Sequence, residues 1–209
     1  MSSAAVATPV TVHRPLAPEE AARADFYALL SRLVAAAPDA ALLQNLSGAP
    51  ALQGDADLSR AWEQLTRASS AMDAEAAGLE FDRLFSAVGK APVSLYAGFY
   101  AGASAVDHPR VRIQQDLAGL GLALRPGNTE PEDHFSGLFE AMRVLIAGGA
   151  GRSPASIDEQ RRFFAGHLEA SAPKFFAALG KAAEANYYRT VAALGGAFIA
   201  LEIESLQLD

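Results

Sequence analysis

Acidic side chains and a histidine stand close together in the segment Thr129-Glu130-Pro131-Glu132-Asp133-His134. Carboxylates and an imidazole in this pattern suit two kinds of chemistry. One is the binding of a cationic group such as a guanidinium, and the other is acid–base catalysis, in which a carboxylate orients an imidazole. Glu130 precedes His134 by four residues, so the two side chains lie within reach of each other if the segment is helical.

The same segment is predicted to begin a helix. Thr129 is a good N-cap, Glu132 three residues later completes a capping box, and Pro131 is tolerated in a first turn. At 100° per residue the apolar positions that follow form one stripe: Phe135, Leu138, Phe139, Met142, Leu145 and Ile146. This wheel places Asp133 away from the stripe and His134 at its border.

The rest of the chain also shows helical periodicity. Apolar spacing and capping residues predict helices from Pro18, near Ala40 to Leu46, through Leu58 to Ala68, from Asp73 to Gly89, from Pro109 to Gly121, from Ser156, after Pro173, and from Tyr187 to Leu206. An aromatic loop is expected from Ala91 to Ser104, and a break at Gly148-Gly149-Ala150-Gly151. No run alternates at period two, so the sequence predicts an all-α fold with no internal repeat.

A turn-forming run, Arg125-Pro126-Gly127-Asn128, divides this helical pattern. The predicted organisation is a flexible tail at 1–17, an N-terminal helical lobe at 18–120, a hinge at 121–130 and a C-terminal helical lobe at 131–209. Lobes joined by such a hinge can be exchanged between copies, so a monomer with a possible homodimer is expected.

Composition excludes several functional classes. The 209 residues are 51% hydrophobic, which is enough for a sizeable core, and the formal net charge is −7. This acidic balance argues against a nucleic-acid partner and suits a cationic one. The absence of cysteine excludes disulfides, thiolate catalysis and iron–sulfur ligation. The four histidines (His13, His108, His134 and His167) show no paired metal-ligand spacing, and no cofactor is predicted.

A cytoplasmic location without membrane insertion is expected. The longest uncharged run, Ala91 to Val106, is shorter than a bilayer requires and is interrupted by proline and glycine. Residues Met1 to Val12 lack the cationic start and apolar stretch of a secretory signal.

Five stretches stand in an order and spacing that resemble the TorD/DmsD/NarJ-like family of molybdoenzyme maturation chaperones. They are Arg23 to Leu33, Glu80-Phe81-Asp82-Arg83-Leu84-Phe85, Pro92-Val93-Ser94-Leu95-Tyr96, Glu130-Pro131-Glu132-Asp133-His134, and His167-Leu168 through Pro173 and Phe176 to Tyr187-Tyr188. The Glu-Pro-x-Asp-His element is the most specific of them. The chain departs from the family pattern at Ser171, where tryptophan is frequent, and at Asp116, where an aromatic residue is frequent.

The resemblance implies an all-helical cytoplasmic chaperone that binds the twin-arginine signal peptide of a molybdenum-cofactor enzyme and assists cofactor insertion before export. Its partner would be the catalytic subunit of that enzyme and its leader peptide. The implied peptide-binding residues are Phe81, Leu84, Phe85, Pro92, Ser94, Tyr96, Glu130, Asp133 and His134. A leader that offers two arginines and then an apolar stretch needs carboxylates beside an apolar groove, so the residue types agree with this role.

Each of these residues also has a purely structural interpretation. The acids could serve only the helix start, where negative charge is favourable, and the phenylalanines could be core residues. His134 and His167 could be structural, and Tyr96, Phe99 and Tyr100 could pin a loop. Two further hypotheses are a helical enzyme that uses Glu130 and His134 as an acid–base pair, and a helical adaptor that binds a folded partner. The Gly-x-Ser-x-Gly elbow of acyl-transfer enzymes is absent.

Overall fold

The described part of the chain consists mainly of helices. The computed structural model describes residues 16–86, 91–102, 109–122, 131–149 and 152–207. In these ranges the helices are α1 (Pro18–Ala35), α2 (Ala40–Ser47), α3 (Ala56–Ala71), α4 (Ala74–Phe85), α5 (Ala97–Tyr100), α6 (Pro109–Gly119), α7 (Phe135–Ala147), α8 (Ile157–His167), α9 (Ala172–Lys181) and α10 (Tyr187–Gln207). Only two isolated β-bridges accompany them in the described residues. The predicted all-α fold is confirmed.

Most helix starts follow from local sequence signals. The side chain of Asp73 accepts the backbone N–H of Ala76 at 2.8 Å and caps α4, as predicted. Ser156 and Glu159 form the predicted capping box of α8. The end of α4 was misplaced, because the helix stops at Phe85, while Gly89 lies outside the described residues.

One hydrophobic core joins the early and late helices. Helix α1 packs mainly along α7, and α10 packs along α3 and α9. The approach of α9 to α10 depends on Gly195, where a Cβ atom would lie 2.2 Å from the ring of Phe176. Helices from both predicted lobes therefore share this core. The two-lobe division and exchange between copies stay predictions, since only residues 121 and 122 of the hinge are described.

A buried ion pair ties the first helix to the last. The guanidinium of Arg23 donates two hydrogen bonds to the carboxylate of Glu202, at 2.6 and 2.9 Å. The hydroxyl of Tyr27 donates to the same carboxylate at 2.9 Å. Burial and the neighbouring Glu202 raise the pKa of Tyr27 well above its ordinary value, so this hydroxyl stays a donor.

A second buried carboxylate fixes the start of α10. Glu80 on α4 accepts the backbone N–H groups of Asn186, Tyr187 and Tyr188 at 2.8, 3.0 and 2.8 Å. The first N–H groups of a helix have no partner within the helix, and a carboxylate there is also favoured by the helix dipole. Glu80 thus caps a helix that begins more than 100 residues later in the chain.

The predicted start of α7 is wrong. The helix begins at Phe135, its N-cap is His134, and Thr129 lies outside the described residues. The reason is that the preceding backbone is engaged elsewhere: the C=O of Pro131 accepts the N–H of His134 in a turn, and residues 133–135 pair with residues 95–97. Glu132 therefore does not occupy a capping-box position.

Helix α10 is long and apolar enough to cross a bilayer, and it is the one such helix among the residues described. Its buried residues include an acid, Glu202, which is paired with Arg23 inside the protein. Length and composition alone cannot separate a core helix from a membrane span. The contacts of α10 with α3, α4 and α9 are those of a core helix.

Candidate functional site

Backbone pairing brings two of the motif segments together. The N–H of Ala97 donates to the C=O of Asp133 at 2.8 Å, and the N–H of Phe135 donates to the C=O of Leu95 at 2.9 Å. Tyr96 and His134 thus face each other in an antiparallel bridge. The loop is also tied to α4, because the N–H of Val93 donates to the C=O of Leu84 at 3.2 Å.

His134 both pairs with Tyr96 and caps the N-terminus of α7. Its Nδ1 accepts the backbone N–H of Ser136 at 3.2 Å and lies 2.7 Å from the Ser136 hydroxyl oxygen. A nitrogen that accepts an N–H carries no proton, so the neutral imidazole has its proton on Nε2. The ring of Tyr96 meets the imidazole edge-on with centroids 5.4 Å apart. His134 is 5% exposed, so it is buried and not at the border of the core.

Asp133 is also buried, contrary to the prediction that it points away from the core. Asp133 is 6% exposed. The helical wheel misplaced it because the wheel assumes a helix at this position, whereas the chain forms a turn there. Within the described residues, the Oδ1 of Asp133 has no hydrogen-bond partner. Arg110 on α6 forms an ion pair with it, since the Arg110 Nε lies 3.8 Å from that oxygen. Buried polar atoms in proteins are nearly always hydrogen-bonded, so this oxygen is an exception that calls for an explanation.

Glu132 completes an acidic pair at the same place. Gln114 on α6 donates to its Oε1 at 2.5 Å, and Arg110 donates to its Oε2 at 3.3 Å. The Gln114 hydrogen bond, helped by the backbone N–H of Glu132 and by Arg110, holds the pKa of this carboxyl below its usual range. No local sequence pattern predicts these partners, because Gln114 and Arg110 lie 18 and 22 residues away from Glu132.

Two exposed aromatic side chains, Tyr96 and Phe99, lie on the segment whose backbone pairs with Asp133, and we call them the aromatic border. The single turn of α5 points the ring of Tyr100 inward, where it packs near Phe135 and Phe175, and leaves Phe99 65% exposed. Tyr96, the residue that precedes α5, is 38% exposed. Tyr100 holds the turn in place, because its hydroxyl donates to the C=O of Ser94 at 3.0 Å. Two exposed rings are thereby held on the segment whose backbone pairs with Asp133.

The predicted residues of α4 lie differently. Leu84 is fully buried, so it offers no surface to a ligand in this conformation. Phe81 and Phe85 are half-buried and pack on the ring of Tyr188, with centroids 5.8 and 5.4 Å away. Their ligand-binding role stays a prediction, as do those of two loop residues: exposed Pro92 and half-buried Ser94.

The acid–base hypothesis has little support in the described geometry. Glu130 lies outside the described residues, and the Nδ1 of His134 is used to cap α7. No group of three metal-binding side chains occurs in the part of the chain that the structure describes.

His167 is paired with a residue that departs from the family pattern. Its Nε2 lies 2.8 Å from the Oδ2 of Asp116, which links α8 to α6. Burial lowers the pKa of this imidazole, and the hydrogen bond with Asp116 opposes the shift. The structural interpretation of His167 agrees with this packing.

The helices of the described residues define the class as an all-α protein. A family model for the nitrate reductase delta subunit matches residues 52–177, more than half of the chain. The chain therefore belongs to the nitrate reductase delta subunit family, which is a family of molybdoenzyme maturation chaperones. The resemblance drawn from the motifs is confirmed at this level. No curated protein matches the chain at a significant level.

Proposed function

We propose that this protein binds the twin-arginine signal peptide of a molybdenum-cofactor oxidoreductase in the cytoplasm and assists cofactor insertion before export. Membership in a chaperone family supports the general role and favours a chaperone over a helical enzyme. The partner would be the catalytic subunit of that oxidoreductase.

The observation that carries the proposal is the buried oxygen of Asp133 that lacks a hydrogen bond. A carboxylate accepts a guanidinium through two parallel hydrogen bonds, which are among the strongest in proteins. Asp133 and Glu132 offer such acceptors side by side. An arginine from a ligand would satisfy the Asp133 oxygen that Arg110 leaves unsatisfied at 3.8 Å.

The apolar part of a leader would lie on the aromatic border. Tyr96 and Phe99 are exposed, and the hydrogen bond from Ala97 to Asp133 keeps this border adjacent to the acid. Exposed aromatic side chains are typical anchors in binding surfaces. Phe81, Phe85, Pro92 and Ser94 would extend the surface. Leu84 would join it only after release from the core.

Calorimetry with synthetic peptides tests the proposal. The client leader with its two arginines is compared with a leader in which both are lysine, which keeps the charge and removes the bidentate fork. We expect the arginine leader to bind at least about tenfold more tightly, since about 1.4 kcal/mol is tenfold in affinity. No binding of the arginine leader, or equal affinity for both peptides, would contradict the proposal.

The Asp57→Asn variant is the matched control for Asp133→Asn. Both substitutions remove one negative charge, but Asp57 lies on the exposed surface of α3. The proposal requires that Asp133→Asn weaken leader binding and that Asp57→Asn leave it nearly unchanged. Equal losses in both variants would show that only net charge matters.

A further inference from the structure

We propose that Arg110 on α6 occupies the guanidinium site of Glu132 and Asp133 in the free protein, and that an arginine of the ligand displaces it. This inference rests on the proposed function. It adds that the site is already filled by an internal competitor, so peptide binding is an exchange of one guanidinium for another.

The pairing of Arg110 is loose where a tight one is possible. Its Nη2 is 3.3 Å from Glu132, and its Nε is 3.8 Å from Asp133, beyond hydrogen-bond distance. The same protein holds Arg23 on Glu202 at 2.6 and 2.9 Å. Arg110 thus interacts with Glu132 and Asp133 mainly by charge. It lacks the two parallel hydrogen bonds of a bidentate guanidinium–carboxylate pair.

The burial of Asp133 points to a second guanidinium. Its side chain is 9% exposed and its Oδ1 has no hydrogen-bond donor, while the side chain of Arg110 is 57% exposed. An exposed arginine can leave for solvent with little loss of packing. The buried carboxylate cannot follow it, so it remains as an acceptor for a cation from outside.

Helix α6 is held in a way that permits this exchange. Ile113 is its one fully buried side chain among the residues described there, and most of its other side chains are exposed. The C-terminal half of α6 is tied to α8 by the pair Asp116 and His167. Helical ends with few buried contacts open at low cost. The end that carries Arg110 can therefore move while the His167 end stays docked.

Affinity measurements on full-length variants test the inference. A twin-arginine leader peptide is titrated into the wild type, Arg110→Gln, Arg112→Gln and Asp133→Asn. Arg112 is exposed on the same helix and has the same charge, so its variant controls for electrostatics alone. We expect Arg110→Gln to bind about three- to tenfold more tightly than the wild type, because apparent affinity rises with the fraction of open sites. Arg112→Gln should stay within about twofold of the wild type.

The outcomes separate the inference from the proposed function. The internal-competitor inference is overturned if Arg110→Gln binds the leader no more tightly than the wild type, or if Arg112→Gln gains the same affinity. In that case, a loss of leader affinity in Asp133→Asn still supports the proposed leader site. Absence of leader binding in all four proteins overturns both. Hydrogen exchange gives a second readout: leader binding should speed exchange of the Ile113 and Gln114 amides in the wild type, since these are the first on α6 with an acceptor one turn earlier. Unchanged or slower exchange there would overturn the inference.

Discussion

The carboxylate of Glu80 accepts the backbone N–H of Tyr188 at 2.8 Å, although the two residues are 108 positions apart in the chain. Glu80 opens the motif that continues through Phe81, Leu84 and Phe85. The acid of this motif thus secures the last helix, whereas the acids of the second motif, Glu132 and Asp133, meet an exposed arginine. Similar residue types cap a helix at one place and pair with an exposed arginine at the other.

Glu80→Gln should destabilise the protein strongly. Glutamine offers one acceptor oxygen to three N–H groups and places an NH₂ group among them, which leaves buried donors unsatisfied. The expected loss is on the order of 2–3 kcal/mol, and the melting temperature should fall by about 4–12 °C. Circular dichroism melts measure it. Glu63→Gln on the exposed face of α3 is the control and should change stability by less than about 0.5 kcal/mol. Equal shifts in both variants would contradict the capping role.

Asp133→Asn should separate binding from stability. Asparagine keeps the shape of the side chain and removes a buried charge that has no hydrogen bond on Oδ1, so the free energy of unfolding should not fall. Leader affinity should decrease by about 1.5–3 kcal/mol, the range for a charge-assisted hydrogen bond. Urea denaturation and leader titration on the same protein measure the two effects. A clear loss of stability with unchanged affinity per folded molecule would refute a ligand-binding role for Asp133.

His134→Ala should reduce stability, in contrast to what its predicted border position implied. The variant loses the N-cap of α7 and the ring contact with Tyr96, and loss of a cap costs about 1 kcal/mol, at most about 2. His134→Asn is the matched variant, because asparagine is a strong N-cap residue and should recover most of the loss. Chemical denaturation compares them. If the alanine variant is as stable as the wild type, the capping role is incorrect.

Stability should fall as the pH drops below the ordinary pKa of histidine, through His167. Burial lowers the pKa of His167 in the folded protein, so between about pH 6.5 and that lower value the unfolded chain binds the proton more readily. The free energy of unfolding therefore carries the full contribution of neutral His167 above about pH 6.5. Below that pH the free energy of unfolding decreases, by no more than about 1.4 kcal/mol per pH unit. Urea denaturation from pH 8 to pH 5 measures the slope. His167→Gln should flatten it, and an unchanged slope would assign the effect to other groups.

Much of the fold was accessible from local sequence signals. The caps Asp73 and Ser156 and the apolar stripes they precede are read from residues three or four positions apart, which is the scale on which helices form. The beginning of α7 was missed because Asp133 and Phe135 pair with a loop almost forty residues earlier. The local pattern around Glu132 is that of a capping box, but the helix does not begin there because the backbone of residues 133–135 pairs with residues 95–97.

The candidate site was predictable only in part, for the same reason. Asp133 and His134 were found through their motif, but their burial depends on where the chain turns. Arg110 and Gln114 carry no local sign of their role, since their acceptor, Glu132, lies 22 and 18 residues further along the chain. Exposure of Phe99 likewise follows from the inward anchoring of Tyr100, which periodicity does not reveal.

The pair of Arg23 and Glu202 spans 179 positions of the chain and sets a condition on synthesis. At about 5–20 residues per second, a ribosome needs roughly 10–35 s to reach Glu202 after Arg23 has been added. Before that interval ends α1 can already pack on α7, its main partner, but Arg23 and Phe26 lack their contacts on α10. A nascent chain that stalls before α10 would leave the guanidinium of Arg23 without Glu202 and the ring of Phe26 without Phe198. The packing of α1 is therefore completed in two steps, first on α7 and then, after α10 has left the ribosome, on α10.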